Sequence, residues 1–342
     1  MGVLTTDRTR SLLPQAWFPL SHADAIMAND QYDLVAVCDV DPQRASKAAD
    51  YLGLPKDAAF TNIDEMLRVH RPKVLGIATR TPGRIDLIRS ALDAGVLGIH
   101  CEKPLSQSYG DVVAVIDEVY RAGAHFSYST LRRFMPAYRQ AKLLADGGTI
   151  GEIREVVVDL AFKDMLLWSH PHSADLLIYF SGDDVESVNA VCDFGGASVD
   201  GRVLDCDPRL DFARVRFKSG RLGLITSTDG MNVRITGTEG SIQIRANGES
   251  IEVSRRGAWS TFTEREVIRS ANGPSGTYQA FEELRTAVEL GAPLAVRLDE
   301  IKANQRILWA IATSALRKGA TVHSDEVDED LIITGRVGEM TA

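Results

Sequence analysis

Cysteine is scarce in this chain, and the four present have no metal-ligand spacing. Cys38, Cys101, Cys192 and Cys206 form no C-x-x-C pair. That argues against a zinc ribbon or a disulfide frame and fits reduced thiols in a cytoplasmic protein. An excess of positive charge is also missing. Lys and Arg number 38 against 47 Asp and Glu, a net charge of −9 over 342 residues, the wrong sign for a nucleic-acid partner. No run approaches the ~18 apolar residues that a membrane span requires. Arg8 and Arg10 are not followed by the continuous apolar segment of a secretory signal. Internal repeats and low-complexity linkers are absent. What remains is ordinary globular composition, 44% hydrophobic and 25% charged, in a chain long enough for two domains with real cores.

The first half alternates strand-like and helix-like segments. Residues 21–28 read as a helix capped by Ser21. Residues 32–39 (YDLVAVCD) are a near-continuous apolar run, the signature of a strand buried on both faces of a parallel sheet. Helices follow at 43–52 and from 61 to about 70, then a strand at 73–79, a helix to Ala94 stopped by Gly95, a strand into Lys103, a helix at 108–122 with Ser108 as N-cap, and a strand at 125–129. This spacing means β-α-β units and a parallel sheet. The second half changes character. After helices at 136–145 and 172–180, strand-like runs at 153–162, 185–194, 210–217, 222–228, 232–238, 241–244 and 250–254 are joined by turn-like residues. Helices at 277–290 and 298–317 close the pattern. The expected architecture is α/β: a Rossmann-like doubly wound parallel sheet over 1–129, and an α/β domain with a large, open, mostly antiparallel sheet over 130–342.

Within this frame a few residues point to chemistry. Pro104 has no N–H for a strand ladder, so Glu102-Lys103-Pro104 ends its strand. A lysine at the carboxyl end of a strand in an open α/β sheet points into the crevice where ligands bind, which makes Lys103 the leading catalytic candidate. A lone surface lysine at a strand exit is the plain alternative. Asp39 ends a buried strand, where an acid accepts hydrogen bonds from ribose hydroxyls and repels a 2′-phosphate, favouring NAD over NADP. Asp41, before Pro42, suits the helix cap instead. Thr79-Arg80-Thr81-Pro82 ends the next strand and would line the cofactor cleft. Arg80 there reaches a phosphate or substrate, or is a solvated turn residue. His172 opens a helix, where it suits a proton relay or a hydroxyl contact. Asp175, placed in the same first turn, reads as a capping or orienting carboxylate. His170 and His172 lack an evident third ligand, so no metal is expected.

These pieces together resemble the Gfo/Idh/MocA oxidoreductase family. The resemblance rests on Thr-x-Thr-Pro (79–82), Ala-Leu-x-Ala-Gly (91–95), Glu-Lys-Pro (102–104), Leu-Arg-Arg-Phe-Met-Pro (131–136) and His-Ser-Ala-Asp-Leu (172–176). Ile-Thr-Gly-Thr-Glu-Gly-Ser-Ile (235–242) and Leu-Trp-Ala-Ile-Ala-Thr-Ser-Ala (308–315) extend it, in the same order, over about residues 21 to 325. It implies hydride transfer between a nicotinamide cofactor and a hydroxyl of a sugar, cyclitol or related polyol. It also implies a homodimer or homotetramer through the C-terminal sheet. By the same resemblance Lys103 is the catalytic acid/base and His172 contacts the reacting hydroxyl. Tyr128 and Arg133 lie near the pocket with Trp168, His170 and Asp175, while Gly2, Glu102 and Lys103 join Asp39 and residues 79–82 at the cofactor.

Three departures stand out. The family's opening strand and G-x-G-x-x-G are missing. That strand normally lies between the strands ending here at Asp39 and Thr79, so its loss would leave backbone groups unpaired at roughly 1–3 kcal/mol each. Residues 3–20 resemble a polar insert found after the glycine loop in some members, so Met1-Gly2 is expected to be the tail of that loop in a chain that starts late. The rival reading makes Gly2 to Thr6 a stunted first strand. Where many members have Asp four residues before the histidine, this chain has Trp168, which cannot tune an imidazole as a carboxylate would. Asp86 stands where a histidine is common. Partial burial and the positive nicotinamide are expected to lower the Lys103 pKa toward neutrality, so that the neutral amine takes the hydroxyl proton. Two rivals remain open: a non-catalytic or truncated NAD- or sugar-binding homologue, and an NAD-recycling glycosidase or epimerase.

Overall fold

A computed structural model describes residue 11 and residues 17–160, 165–228, 230–257, 259, 261–269 and 273–334. The Gly2 assignment lies outside them. Two compact units emerge. One gathers the chain up to Ser106 with Val113–Leu131 and Pro274–Leu298; the other holds Gln107–Val112, Arg132–Gly273 and the chain from Asp299. A single cut between 129 and 130 therefore misplaces a late helix. Gly276–Leu290 packs on the first unit's sheet because Gly98 lets Leu284 and Val288 approach its strand closely.

In the first unit, α1 (His22–Met27), α2 (Pro42–Tyr51) and α3 (Ile63–His70) begin at side-chain caps. Ser21 Oγ accepts from the Asp24 N–H, Asp41 from Gln43 and Arg44, and Asn62 from Glu65. Each satisfies a backbone donor that the first turn leaves orphaned. Asp41 thus takes the capping role expected of it. The strands are β1 (Val37–Cys38), β2 (Ala59–Phe60), β3 (Val74–Ile77), β4 (Gly98–Cys101) and β5 (His125–Tyr128), with α4 (Arg84–Asp93) and α5 (Tyr109–Ala122) as crossovers. All pairings are parallel, in two sheets, β1-β2 and β3-β4-β5.

The expected strand over 32–39 is paired only at Val37 and Cys38. Among the described residues β2 is its sole neighbour and reaches no further. The break between the two sheets falls between the strands leading to Asp39 and Thr79. Helix α1 lies along this break. Ala23 joins Val37 and Ala48 in one apolar cluster, while His22 lies against Gly76 of β3, where a Cβ would stand 3.3 Å from its Nδ1.

Among the described residues the second unit is built on a nine-stranded sheet. Its strands include β6 (Ile153–Leu160), β7 (Val185–Asp193), β10 (Arg209–Phe217), β11 (Leu222–Thr226), β12 (Met231–Gly237), β13 (Gly240–Arg245), β14 (Ser250–Arg256), β15 (Phe262–Arg269) and β16 (Val322–His323), in the order β15-β14-β13-β12-β6-β11-β10-β7-β16. Only β6 and β11 run parallel. Burial alternates along β10 to β14, so one face carries the core. Helices α6 (Pro136–Asp146), α7 (Leu166–Ser169), α8 (Pro171–Ser181) and α10 (Leu298–Leu316) belong to this unit; α9 is the Gly276–Leu290 helix of the first. The periodicity missed α7, β15, β16 and a three-stranded sheet of two-residue strands, β8 (Val199–Asp200), β9 (Val203–Leu204) and β17 (Ile332–Ile333). Two-residue strands and a one-turn helix are too short to show a period; β15 is eight residues long, but the charged run Glu264-Arg265-Glu266 interrupts its apolar pattern.

Candidate functional site

In the first unit the chemistry gathers at the carboxyl ends of β3 and β4. The ladder between them ends where Glu102 N–H donates to Ile77 O at 2.9 Å. Lys103 follows, half-buried, with its peptide to Pro104 cis. The Glu102 carboxylate faces inward. Ser129 Oγ donates to Oε1 at 2.8 Å, Lys103 N–H donates to Oε2 at 3.2 Å, and His22 Nε2 stands 3.4 Å from Oε1.

Behind this carboxylate lies a buried aromatic cluster. The rings of His22 and His100 are centred 4.6 Å apart, both against Phe281, and His100 Nδ1 lies 2.9 Å from Ser127 Oγ. Burial, with His22 alongside, holds the His100 pKa well below the ordinary imidazole value, so the ring is neutral. Burial also pushes the Cys101 thiol up to about 12, which leaves it inert.

One residue that the sequence reading missed organises these strand ends. Arg84, only 4% exposed, donates through Nε and Nη2 to Thr79 O and through Nη1 to Glu102 O and Pro104 O. The signal was present in the sequence. Arg84 occupies the stripe that Ile88 and Ala91 continue on α4, and a cation on a buried helix face needs a partner. Asp86, at the position where the family often has histidine, is exposed and pairs with Arg89 at 3.8 Å.

The expected cofactor residues sit at strand ends. Asp39 is half-buried just past β1, its Oδ1 accepting the Asp41 N–H at 2.9 Å. Thr79 and Arg80 are exposed after β3, with Thr81 half-buried and Pro82 exposed beside them. A carboxylate past one parallel strand and solvent-facing backbone past another form an acceptor set that suits a dinucleotide's ribose. The Glu102 carboxylate, next to these strand ends, is held by internal donors.

In the second unit His172 lies half-buried in the first turn of α8. That turn is fixed from outside, since Asn304 Nδ2 donates to Pro171 O at 2.7 Å. His170 precedes the helix, wholly buried, with Nδ1 3.0 Å from Ser173 Oγ. Asp175 falls beyond the first turn, because the helix begins at Pro171, and so it does not cap. Its carboxylate takes two hydrogen bonds from Arg133, whose Nη1 also donates to Glu300 at 2.7 Å. Burial disfavours the guanidinium charge, but Asp175 and Glu300 outweigh that and raise its pKa.

Tyr128 is fully buried at the end of β5. Four of the expected substrate contacts, Tyr128, Arg133, His170 and Asp175, are thus core residues in this structure, and ion pairing accounts for two of them. Trp168 stays half-exposed, its N–H donating to Asp207 Oδ2 at 3.0 Å, while Leu167 N–H donates to Oδ1 of the same carboxylate. Among the described residues no cluster of His, Cys, Asp and Glu could hold a metal ion. No described helix is long and apolar enough to cross a membrane.

Parallel strands with crossover helices, an acid past β1 and a lysine past β4 define a dinucleotide-binding fold. Residues 17–130 match the Gfo/Idh/MocA family, described as an oxidoreductase family with an NAD-binding Rossmann fold. The chain is 28% identical over 226 residues to myo-inositol 2-dehydrogenase of Thermotoga maritima, covering 60% of this chain and 64% of that protein. It is 30% identical over 140 residues to D-xylose 1-dehydrogenase (NADP(+)) 2 of Haloferax volcanii, covering 41% of each. These matches span under two thirds of the relatives' lengths. The fold is shared with aldose-aldose oxidoreductase of Caulobacter crescentus, at TM-score 0.73, 20% identity, and coverage of 87% of this chain and 94% of that one. It is shared as well with an inositol dehydrogenase homologue of Azotobacter vinelandii, solved with NADH and myo-inositol, at TM-score 0.71, 16% identity and coverage of 88% and 93%.

Proposed function

We propose that this protein is an NAD-dependent oxidoreductase that moves a hydride between nicotinamide and a secondary hydroxyl or ketone of a sugar, cyclitol or related polyol. The observation that carries this reading is Lys103, half-buried immediately after β4 and following a carboxylate that is itself held in place. Bound NAD⁺ would supply the hydride acceptor. Lys103, as the neutral amine, takes the hydroxyl proton during oxidation and returns it during reduction. His172 contacts the same hydroxyl. Asp39 accepts the ribose hydroxyls and disfavours NADP, and residues 79–82 flank the cofactor. The reading includes a cytoplasmic homodimer or homotetramer through the nine-stranded sheet. In its support, Val191 and Phe212 are paired neighbours on that sheet and expose 53% and 38% of their surface.

The test is NADH formation from a panel of sugars, inositols, sugar acids and nucleotide sugars. Lys103→Met should abolish turnover and leave NAD⁺ binding, measured by fluorescence quenching, intact. Near-normal turnover by this variant would refute the assignment. One observation favours a non-catalytic, ligand-binding reading: with Trp168 in place of the usual Asp, the residues around His172 are committed to internal bonds. NAD⁺ binding without turnover of any panel member would select that reading.

A further inference from the structure

Arg84 stands apart from Arg133, which is buried to a similar degree. Arg133 is neutralised by two carboxylates, whereas every hydrogen bond of Arg84 goes to a main-chain carbonyl. The three acceptors are Thr79 O, Glu102 O and Pro104 O. All lie just past the ends of β3 and β4, where the sheet ladder no longer supplies partners. The carbonyls of Glu102 and Pro104 bracket Lys103 and share one nitrogen, Nη1. The planar fork of a guanidinium can address three carbonyls in fixed directions at once; an ammonium cannot. A buried charge needs such partners, so the arrangement constrains both sides: the carbonyls solvate the cation, and the cation sets the path of the backbone that carries Lys103.

We propose that Arg84 is a positioning residue for the reaction, locking the Glu102-Lys103-Pro104 backbone to the Thr79 turn so that the Lys103 amine is presented in one geometry. This rests on the assignment of Lys103 as the acid/base. A proton acceptor displaced by about 1 Å loses roughly 100-fold in rate.

The experiment compares wild type, Arg84→Met, Arg84→Lys and Lys103→Met by two readouts. One is steady-state kinetics on the panel polyol that wild type turns over fastest. The other is amide hydrogen exchange of the peptide spanning residues 99–108. Arg84→Met and Arg84→Lys should lower kcat ten- to a hundredfold, with KM for the polyol and Kd for NAD⁺ within threefold of wild type. Both should speed exchange across residues 102–106 at least tenfold. Restoring the charge alone, in Arg84→Lys, should not restore kcat. Wild-type kcat, or unchanged exchange, in both Arg84 variants overturns the proposal.

If Lys103→Met remains active, it is the Lys103 assignment that fails, and the exchange readout still decides whether Arg84 holds this backbone. Should Arg84→Met fail to fold, Arg84→Gln, which keeps two N–H donors without the charge, takes its place under the same criteria. Failure of every Arg84 variant to fold would make Arg84 a core residue and overturn the positioning role.

Discussion

Arg133 and Asp175 form a two-pronged ion pair, Nε donating to Oδ2 at 2.9 Å and Nη2 to Oδ1 at 2.7 Å, with both side chains buried. The pair ties the helix of His172 to the segment that follows β5. Asp175→Ala should destabilise the protein by about 1–3 kcal/mol, because two donors of the buried Arg133 lose their acceptors and Glu300 alone is left to balance the charge. Replacing both partners with apolar residues should cost less than either single change. Denaturant unfolding of the two single variants and the double variant measures this. A substrate-binding role for Arg133 would instead raise KM at unchanged stability.

Asp39 gives a cofactor test. Its carboxylate stands half-buried past β1, anchored through one oxygen by the Asp41 N–H. Asp39→Ala should weaken NAD⁺ binding by about 1–3 kcal/mol, through the loss of charged hydrogen bonds to ribose. It should narrow the preference over NADP⁺, since the repulsion of a 2′-phosphate goes with it. Titration with both nucleotides checks the two effects separately.

His100 sets an acid limit on stability. Burial keeps it neutral when folded, whereas the unfolded chain binds its proton below about pH 6.5. Its folded pKa lies under the unfolded one, so the unfolded state takes up more protons as pH falls. Stability is therefore fully present above that value and declines by about 1 kcal/mol per pH unit below it. Urea unfolding at pH 7 and pH 5 should show the decline, and His100→Gln should flatten it. An equal decline in that variant would place the effect elsewhere.

Gly98 tests the membership of α9 in the first unit. A Cβ there would stand 2.7 Å from Val288 Cγ2 and 3.1 Å from Leu284 Cδ1. Gly98→Ala should cost about 1–3 kcal/mol by overpacking, and Gly98→Ala with Val288→Ala should recover part of it. Thermal melting of the two variants is sufficient.

The sequence by itself determined the order and type of most of the long elements, with β15 the exception. Hydrophobic period and capping residues are local, and Ser21, Asp41 and Asn62 cap the helices they precede because the donors they satisfy lie two or three residues away. It also determined the family resemblance and the place of Lys103 past β4, since Pro104 ends that strand wherever the strand lies. Tertiary structure alone decided what each polar side chain meets. Arg133, Asp175 and Glu300 are far apart in the chain, and nothing local shows that they neutralise one another. Arg84 finds its carbonyls up to 20 residues away. The helix Gly276–Leu290 returns to the first unit because a glycine in β4 leaves room for it. Period and propensity act over a turn or a strand, whereas burial, charge pairing and close packing depend on which distant segments the folded chain brings into contact.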